Sequence, residues 1–179
     1  MDLHVDAAIP FPRDVVFATY RDDIPKLLKY LPNVRSIDVK SRKDNGPLAE
    51  VVNDWRGGGD IPAAVRAVLS EAMLAWTDYA TWDAEKHRCD WRTETHALTE
   101  AVDCKGNIVF LEDGPSKTLI QVRGKLEIDG KKIRGVPGFL GGKIGKAVEE
   151  FLGGKIQPNL AETAKAVTMY LEEKAKGPA

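Results

Sequence analysis

The 179-residue sequence is poor in cysteine, has no excess of charge of either sign, and contains no apolar run long enough to cross a membrane. Its 2 cysteines, Cys89 and Cys104, lack the C-x-x-C spacing of zinc or thioredoxin-like sites, so we expect two buried thiols in a reducing compartment. Its 26 Lys and Arg nearly balance 27 Asp and Glu, which argues against a basic nucleic-acid-binding stripe. No metal, cofactor or nucleic-acid partner is therefore expected.

The N-terminal residues Met1 to His4 show neither the basic segment nor the apolar core of a secretory signal. Together with the absence of a transmembrane candidate, this predicts a soluble, cytoplasmic protein. The length suits a single domain with its own core, which we place at residues 1–176. The last residues, 177–179, are expected to form a loose tail.

A long amphipathic helix is predicted from about residue 142 to residue 174, because apolar residues recur there at intervals of three and four. Gly153, Gly154 and Pro158 interrupt it, and we expect a bend near residues 155–158. Two interpretations are open. The stretch is a core helix with a tolerated kink, or it is a lid with a soft middle over a cavity.

Alternating apolar and polar residues predict a first strand at 3–9, and two short helices follow at 12–22 and 24–31. A short helical or irregular piece is expected at 63–69. Six further strands with short turns indicate an antiparallel meander; they are predicted at 34–42, 49–56, 73–83, 88–98, 101–111 and 117–128. The fold class is therefore α+β. A curved antiparallel sheet of about seven strands wraps around the C-terminal helix, with the two short helices between strands 1 and 2.

Three stretches, 9–17, 23–32 and 141–152, resemble the START-like or helix-grip superfamily, which includes the birch-pollen-allergen fold and the polyketide cyclase/lipid-transport proteins. The first two are similar to the family's first strand and short helices, and the third to the start of its lid helix. The resemblance implies a cavity between sheet and helix for a lipid, sterol, polyketide or quinone. It carries over no catalytic set, since some relatives are cyclases or hydrolases and others are carriers or regulators.

The candidate ligand-binding residues are apolar side chains expected to face that cavity. Trp55 and Trp91 share the parity of the apolar face in their strands, which indicates core packing or cavity lining. Trp76 shares a face with Asp78, and the periodicity does not decide whether this face of strand 73–83 points inward. The full candidate set is Trp55, Trp76, Trp91, Phe110, Val122, Val148, Phe151, Leu152 and Ile156.

The candidate catalytic residues are Asp78, Glu94 and His96, since antiparallel pairing could bring the last two near the first. Such a cluster could perform general acid–base chemistry. The competing interpretation is that Glu94 and His96 belong to a polar outer face with weak cross-strand ion pairs.

Three functions follow from these observations. A non-catalytic carrier or sensor of an apolar small molecule is favoured. A cyclase or hydrolase using the acidic and histidine residues is the first alternative, and a protein-interaction module built on the outer sheet is the second. Transient membrane contact and the oligomeric state are left open by the sequence.

Overall fold

The computed structural model describes residues 1–58 and 74–177. The predicted piece at 63–69 and the end of the predicted tail lie outside these residues. The described elements are, in chain order, β1 (Asp2–Ile9), α1 (Arg13–Asp22), a 3-10 helix (Ile24–Tyr30), β2 (Val34–Asn45), β3 (Leu48–Gly57), β4 (Ala75–Asp83), β5 (Arg88–Thr95), β6 (Val102–Glu112), β7 (Thr118–Ile128), a second 3-10 helix (Gly130–Lys132) and α2 (Gly141–Lys176).

The strands form one curved antiparallel sheet in the order β1-β7-β6-β5-β4-β3-β2, which confirms the predicted α+β fold class. The chain starts at one edge with β1, crosses through α1 and the 3-10 helix to the other edge, and returns as a meander. Side chains alternate between faces along each strand, so the meander gives the sheet one apolar face and one polar face. The apolar face needs a cover, and α2 supplies it.

Helix α2 runs unbroken for 36 residues, with Pro158 inside it. The proline lacks the N–H that would bond the carbonyl of Gly154, and both residues lie on the exposed side of the helix. The predicted weak point is therefore a missing hydrogen bond on the solvent side of a continuous helix. Within the described ranges, no helix is long and apolar enough to span a membrane.

Helix α2 packs tightly at its two ends. Near its N-terminus, Val148 and Phe151 are buried against Ala101 and Ile133. Near its C-terminus, a row of buried residues joins the largest core cluster, which also holds the inner sides of α1 and the first 3-10 helix; this row is Ala164, Ala166, Val167 and Leu171. In the middle of the helix, Leu152 and Ile156 contact a smaller core cluster on one side of the sheet only.

A pair of glycines makes room for a tryptophan in the centre of the sheet. Gly106 in β6 pairs with Trp91 in β5 and with Gly124 in β7. A Cβ at Gly106 would lie 2.7 Å from Trp91 Cζ2 and 2.2 Å from the carbonyl oxygen of Arg123, and one at Gly124 would lie 3.0 Å from the same ring. The Trp91 indole therefore depends on both positions lacking a side chain.

We predict that Gly106→Ala destabilises the protein by ~2–3 kcal/mol, because the methyl group overlaps backbone and indole atoms that have no room to move. Urea denaturation followed by circular dichroism measures the change. Gly154→Ala is the control, since nothing lies within 4 Å of its added Cβ, and a solvent-facing helical Gly→Ala change stabilises by up to ~1 kcal/mol. Equal effects of the two substitutions would contradict the packing argument.

Candidate functional site

A cavity of about 220 Å³ lies between the inner face of the sheet and the middle of α2. The helix contributes residues spaced by three and four, so they form a single face of the helix. These residues are Leu152, Lys155, Ile156, Asn159, Leu160 and Thr163. The cavity therefore occupies the stretch where α2 bridges its two anchored ends.

Four tryptophans line this space: Trp55, Trp76, Trp82 and Trp91. Trp55 and Trp76 lie directly opposite each other on β3 and β4, and their rings stack with centroids 5.7 Å apart and planes 12° from parallel. The inward face of β4 is thus the one that carries Trp76, Asp78 and Trp82, a choice that the sequence left open. These rings form part of a mostly apolar wall.

One polar row crosses this apolar wall. Asn53, Asp78, Thr93 and Cys104 follow one another in register across β3, β4, β5 and β6, and all four line the cavity. Directly opposed residues on one face of a sheet have Cβ atoms about 5 Å apart, so the side chains are neighbours. The row places hydrogen-bonding groups at the centre of the inner face.

Asp78 is the only carboxylate among the described lining residues. It keeps some accessible surface, but that surface faces the cavity and is shielded from bulk solvent. This burial raises the pKa of the Asp78 carboxyl from 3.8 to about 7, because the charged form loses its hydration. Within the described part of the chain, no hydrogen bond or ion pair offsets that loss.

Other polar atoms around the cavity are also buried and unpaired. Trp55 Nε1, Trp91 Nε1, Thr95 Oγ1 and Asn53 Oδ1 have no hydrogen-bond partner among the described residues. Asn53 is only 6% exposed, so its Oδ1 atom is taken out of water without a compensating hydrogen bond from a described residue. Unsatisfied groups concentrated at one cavity are typical of a site that hydrogen-bonds something other than the protein itself.

The two cysteines also line the cavity, and both are free and buried. Burial raises the pKa of Cys89 well above its ordinary value and that of Cys104 to about 12. Both thiols are therefore neutral and weakly nucleophilic at physiological pH. No group of three or more His, Cys, Asp or Glu residues in the described ranges could hold a metal ion.

The structure does not assemble the cluster of Asp78, Glu94 and His96. Glu94 pairs with Thr77, which points outward, whereas Asp78 pairs with Thr93. On the outer face, Glu94 forms an ion pair with Arg92 at 3.5 Å. An acid–base cluster of these three residues is therefore wrong as a prediction, because strand parity puts Asp78 on one face and the other two on the opposite face.

His96 belongs to a separate outer group. The Thr77 hydroxyl donates a hydrogen bond to Asp54 Oδ1 at 2.7 Å, and His96 Nε2 lies 2.9 Å from the same hydroxyl. The hydrogen bond from Thr77 lowers the pKa of Asp54 below its ordinary value. These groups are open to water and have no route to the cavity on the other face of the sheet.

Most of the sequence-predicted ligand residues line the cavity: Trp55, Trp76, Trp91, Val122, Leu152 and Ile156. Phe110, Val148 and Phe151 do not. Phe110 is 1% exposed and packs edge-on against Phe17, with ring centroids 5.3 Å apart. Val148 and Phe151 belong to the core cluster under the N-terminal part of α2. Alternation predicts which face a residue occupies but not whether that part of the face is filled.

Sequence reasoning missed the polar members of the wall, namely Asn53, Thr93 and Thr95, together with Cys89, Cys104 and Trp82. A usable signal existed. Asn53 has the same parity as Trp55 in β3, and Thr93 and Thr95 have the parity of Trp91 in β5. A polar residue in register with inward-facing aromatics is the pattern that would have indicated a cavity rather than a filled core.

The seven-stranded sheet around a C-terminal helix, with a cavity between them, is the START-like or helix-grip fold. Comparison with solved structures confirms this resemblance. The chain is similar to the Zhui aromatase/cyclase from Streptomyces sp. R1128, with a TM-score of 0.69, 14% identity, and coverage of 100% of this chain and 99% of that one.

Two further structures have the same fold. Norcoclaurine synthase from Thalictrum flavum matches with a TM-score of 0.63, 15% identity, and coverage of 97% of this chain and 87% of that one. A START superfamily protein from Mycobacterium smegmatis matches with a TM-score of 0.55, 12% identity, and coverage of 96% and 97%. No family model and no curated protein sequence matches the chain. At these identities the likeness defines the fold alone.

We predict that the stability advantage of Asp78→Asn over the native chain grows with pH. The folded-state pKa of about 7 lies above the ordinary 3.8, so the folded protein holds a proton that the unfolded chain releases. The contribution of Asp78 to folding is therefore fully present below about pH 4 and is lost as the pH rises through about 7. The asparagine variant does not titrate, and the difference in unfolding free energy should grow by up to ~4 kcal/mol.

Urea denaturation of both proteins between pH 4 and pH 8 measures this difference. Asp54→Asn is the matched control on the outer face, where the pKa of the native carboxyl is lowered. The stability that Asp54 contributes is lost only below about pH 4, because its pKa lies below 3.8, so the stability difference for this control should stay nearly constant between pH 4 and pH 8. A difference for Asp78→Asn that stays constant with pH would show that the carboxyl is solvated.

Proposed function

We propose that this protein binds an apolar small molecule in the cavity between the sheet and α2, as a carrier or sensor. The observation that carries the proposal is a cavity of about 220 Å³ with a mostly apolar wall that includes four tryptophans. Natural cores leave few voids larger than a water molecule, so a space of this size needs a reason. An occupant that replaces the missing core atoms supplies one.

The volume restricts the ligand class. Pockets for drug-sized ligands measure roughly 300–1,000 Å³, so a cavity of about 220 Å³ favours one or two fused rings over a whole sterol or a long-chain lipid. The stacked Trp55 and Trp76 rings offer a flat apolar surface that suits a planar molecule. Of the classes that the sequence suggested, small aromatic polyketide- or quinone-like molecules fit this wall best.

The structural neighbours are consistent with a small aromatic occupant. One structure of the Thalictrum flavum synthase is of its complex with dopamine and hydroxybenzaldehyde, which are single-ring molecules. Another neighbour is an aromatase/cyclase. These ligands and activities belong to those proteins, and they support the choice of aromatic probes for this one.

An enzyme is the second candidate, and Asp78 is the observation that favours it. A carboxyl with a pKa of about 7 inside an apolar cavity has the protonation behaviour of a general acid or base. Glu94 and His96 take no part, because they lie on the outer face. Binding without catalysis remains our preferred proposal, since no second titrating group near neutral pH accompanies Asp78 among the described lining residues.

The location of the protein in the cell and its contact with membranes stay predictions from the sequence. A cytoplasmic location and a single domain over residues 1–176 are not tested by the fold. Transient membrane contact would most simply use Phe139, which is 86% exposed in the turn just before α2. A protein-interaction module would need a continuous exposed apolar patch.

We predict that filling the cavity abolishes binding. Ile156→Phe enlarges a side chain that α2 presents to the cavity, and it should weaken binding of prodan, an environment-sensitive dye with two fused rings, at least 10-fold. Met169→Phe is the matched control on the same helix, since Met169 is 51% exposed and lies outside the cavity wall. Fluorescence titration gives both affinities. Equal binding by the two variants would place the probe elsewhere and count against the proposal.

We predict that stiffening the middle of α2 slows ligand exchange. Gly154→Ala adds a methyl group in open space opposite the missing Pro158 hydrogen bond and lowers the entropy of the opened helix. Stopped-flow displacement of bound prodan should show a slower dissociation rate at similar affinity. Gly153→Ala is unsuitable alone, because its Cβ would lie 2.2 Å from Met1 Sδ. An unchanged rate for Gly154→Ala would assign α2 a purely structural role.

A further inference from the structure

The polar row on the inner face contains three acceptor groups side by side. Asn53, Asp78 and Thr93 occupy opposing positions on three neighbouring strands. The wall around them is apolar, with Trp76 beside Asp78 on the same face of β4 and Ala80 on its other side. Three acceptor groups are therefore adjacent to one another and are offered to whatever occupies the cavity, beside the unpaired Trp55 Nε1, Trp91 Nε1 and Thr95 Oγ1.

Two members of the row have no hydrogen-bond partner among the described residues. Asn53 is more than nine-tenths buried, lines the cavity, and its Oδ1 has no partner in the part of the chain that the structure describes. Asp78, its direct neighbour, also has no hydrogen bond or ion pair among those residues. Two adjacent acceptors without donors are costly in an apolar wall, and a carboxylate without a counter-charge is costlier still.

No described cation compensates Asp78. The neighbouring strands bring Asn53, Thr93 and the neutral thiols Cys89 and Cys104. Facing it, α2 presents one charged residue, Lys155, whose ammonium lies 6.0 Å from the ring centroid of Phe151.

Helix α1 contributes Arg21 to the cavity lining, and its guanidinium is hydrogen-bonded to both carboxylate oxygens of Asp22 at 2.9 Å. Loss of hydration alone raises the pKa of Asp78, and no positive charge on a described neighbour lowers it. Without a counter-charge among the described residues, Asp78 is largely protonated below its pKa of about 7, and a bound cation would stabilise its carboxylate form.

We propose that the Asn53–Asp78–Thr93 row binds the protonated amino group of a small aromatic amine whose ring lies among the cavity tryptophans. An ammonium has three N–H donors and no acceptor, and the row offers three acceptor groups. Its charge pairs with the Asp78 carboxylate, which a neutral hydroxyl or carbonyl group cannot do. The indole faces attract both the ring and the cation. This inference rests on the proposed function and specifies its ligand class.

The pH dependence of binding follows from the same pairing. Burial raises the pKa of Asp78 to about 7 in the protein without a ligand, so the carboxylate is fully available only above that pH. An alkylammonium stays charged to beyond roughly pH 9, because its own pKa is near that of lysine. Affinity for the amine should therefore fall ~10-fold for each pH unit below 7, which is roughly 100-fold at pH 5.

The test compares two probes of equal size, 2-(1-naphthyl)ethylamine and 2-(1-naphthyl)ethanol, by isothermal titration calorimetry at pH 8 with the full chain. The native protein should bind the amine at least 10-fold more tightly than the alcohol. Asp78→Asn should remove this preference and leave alcohol binding within 3-fold of native, which also shows that the variant is folded. Asp54→Asn removes an acid from the outer face and should change neither affinity.

Three results would overturn the inference. The alcohol binds the native protein as tightly as the amine, Asp78→Asn retains the preference for the amine, or amine affinity stays constant between pH 5 and pH 8. In each case, measurable alcohol binding leaves the proposed cavity function standing. If neither naphthylethyl probe binds, the inference fails, and if prodan also fails to bind, the cavity function fails with it.

Discussion

The structure depends on how a single helix covers a curved sheet. The 36 residues of α2 must seal the apolar face of seven strands, and the helix does so by packing at its ends. Val148 is fully buried at one end and Val167 at the other. Between these anchors, Leu152 and Ile156 pack on the cluster of Leu3, Cys104 and Leu126 at the β1 side of the sheet. The cavity lies beside this contact, where the curved sheet leaves space between α2 and the inner faces of β3, β4 and β5.

The polar groups in the cavity wall lower the stability of the fold and are available to bind a ligand. An apolar residue at position 78 would cost nothing to bury, whereas the carboxyl of Asp78 is shifted to a pKa of about 7 by desolvation. Asn53 beside it adds an unsatisfied amide oxygen. Close packing elsewhere offsets this loss of stability. Both ends of α2 are buried, and Trp91 packs closely against Gly106 and Gly124. Such a balance is usual at functional sites, where local rules are broken while the surrounding core stays consistent.

The sequence predicted the fold well because the evidence for it is periodic. Alternation located the strands, and spacing of three and four located α2, since both depend only on which side of an element faces the core. The face of β4 could not be predicted. Tryptophan and aspartate share one parity there, and tyrosine and threonine share the other, so hydropathy gives no preference. Only the neighbouring strands decide it, because Trp76 must stack on Trp55.

The candidate site was predicted less completely than the fold. The sequence does not show which inward positions are filled by other side chains, nor the exact pairing of residues between strands. Phe110 has the correct parity but lies where α1 fills the space, so it became core. Glu94 lies next to Thr93, the partner of Asp78, and a shift of one residue moves a side chain to the opposite face of the sheet. Proximity along paired strands is therefore insufficient evidence for a catalytic cluster. Side chains on neighbouring strands can act together only if they lie on the same face of the sheet. Asp78 meets this condition with Asn53 and Thr93 but not with Glu94.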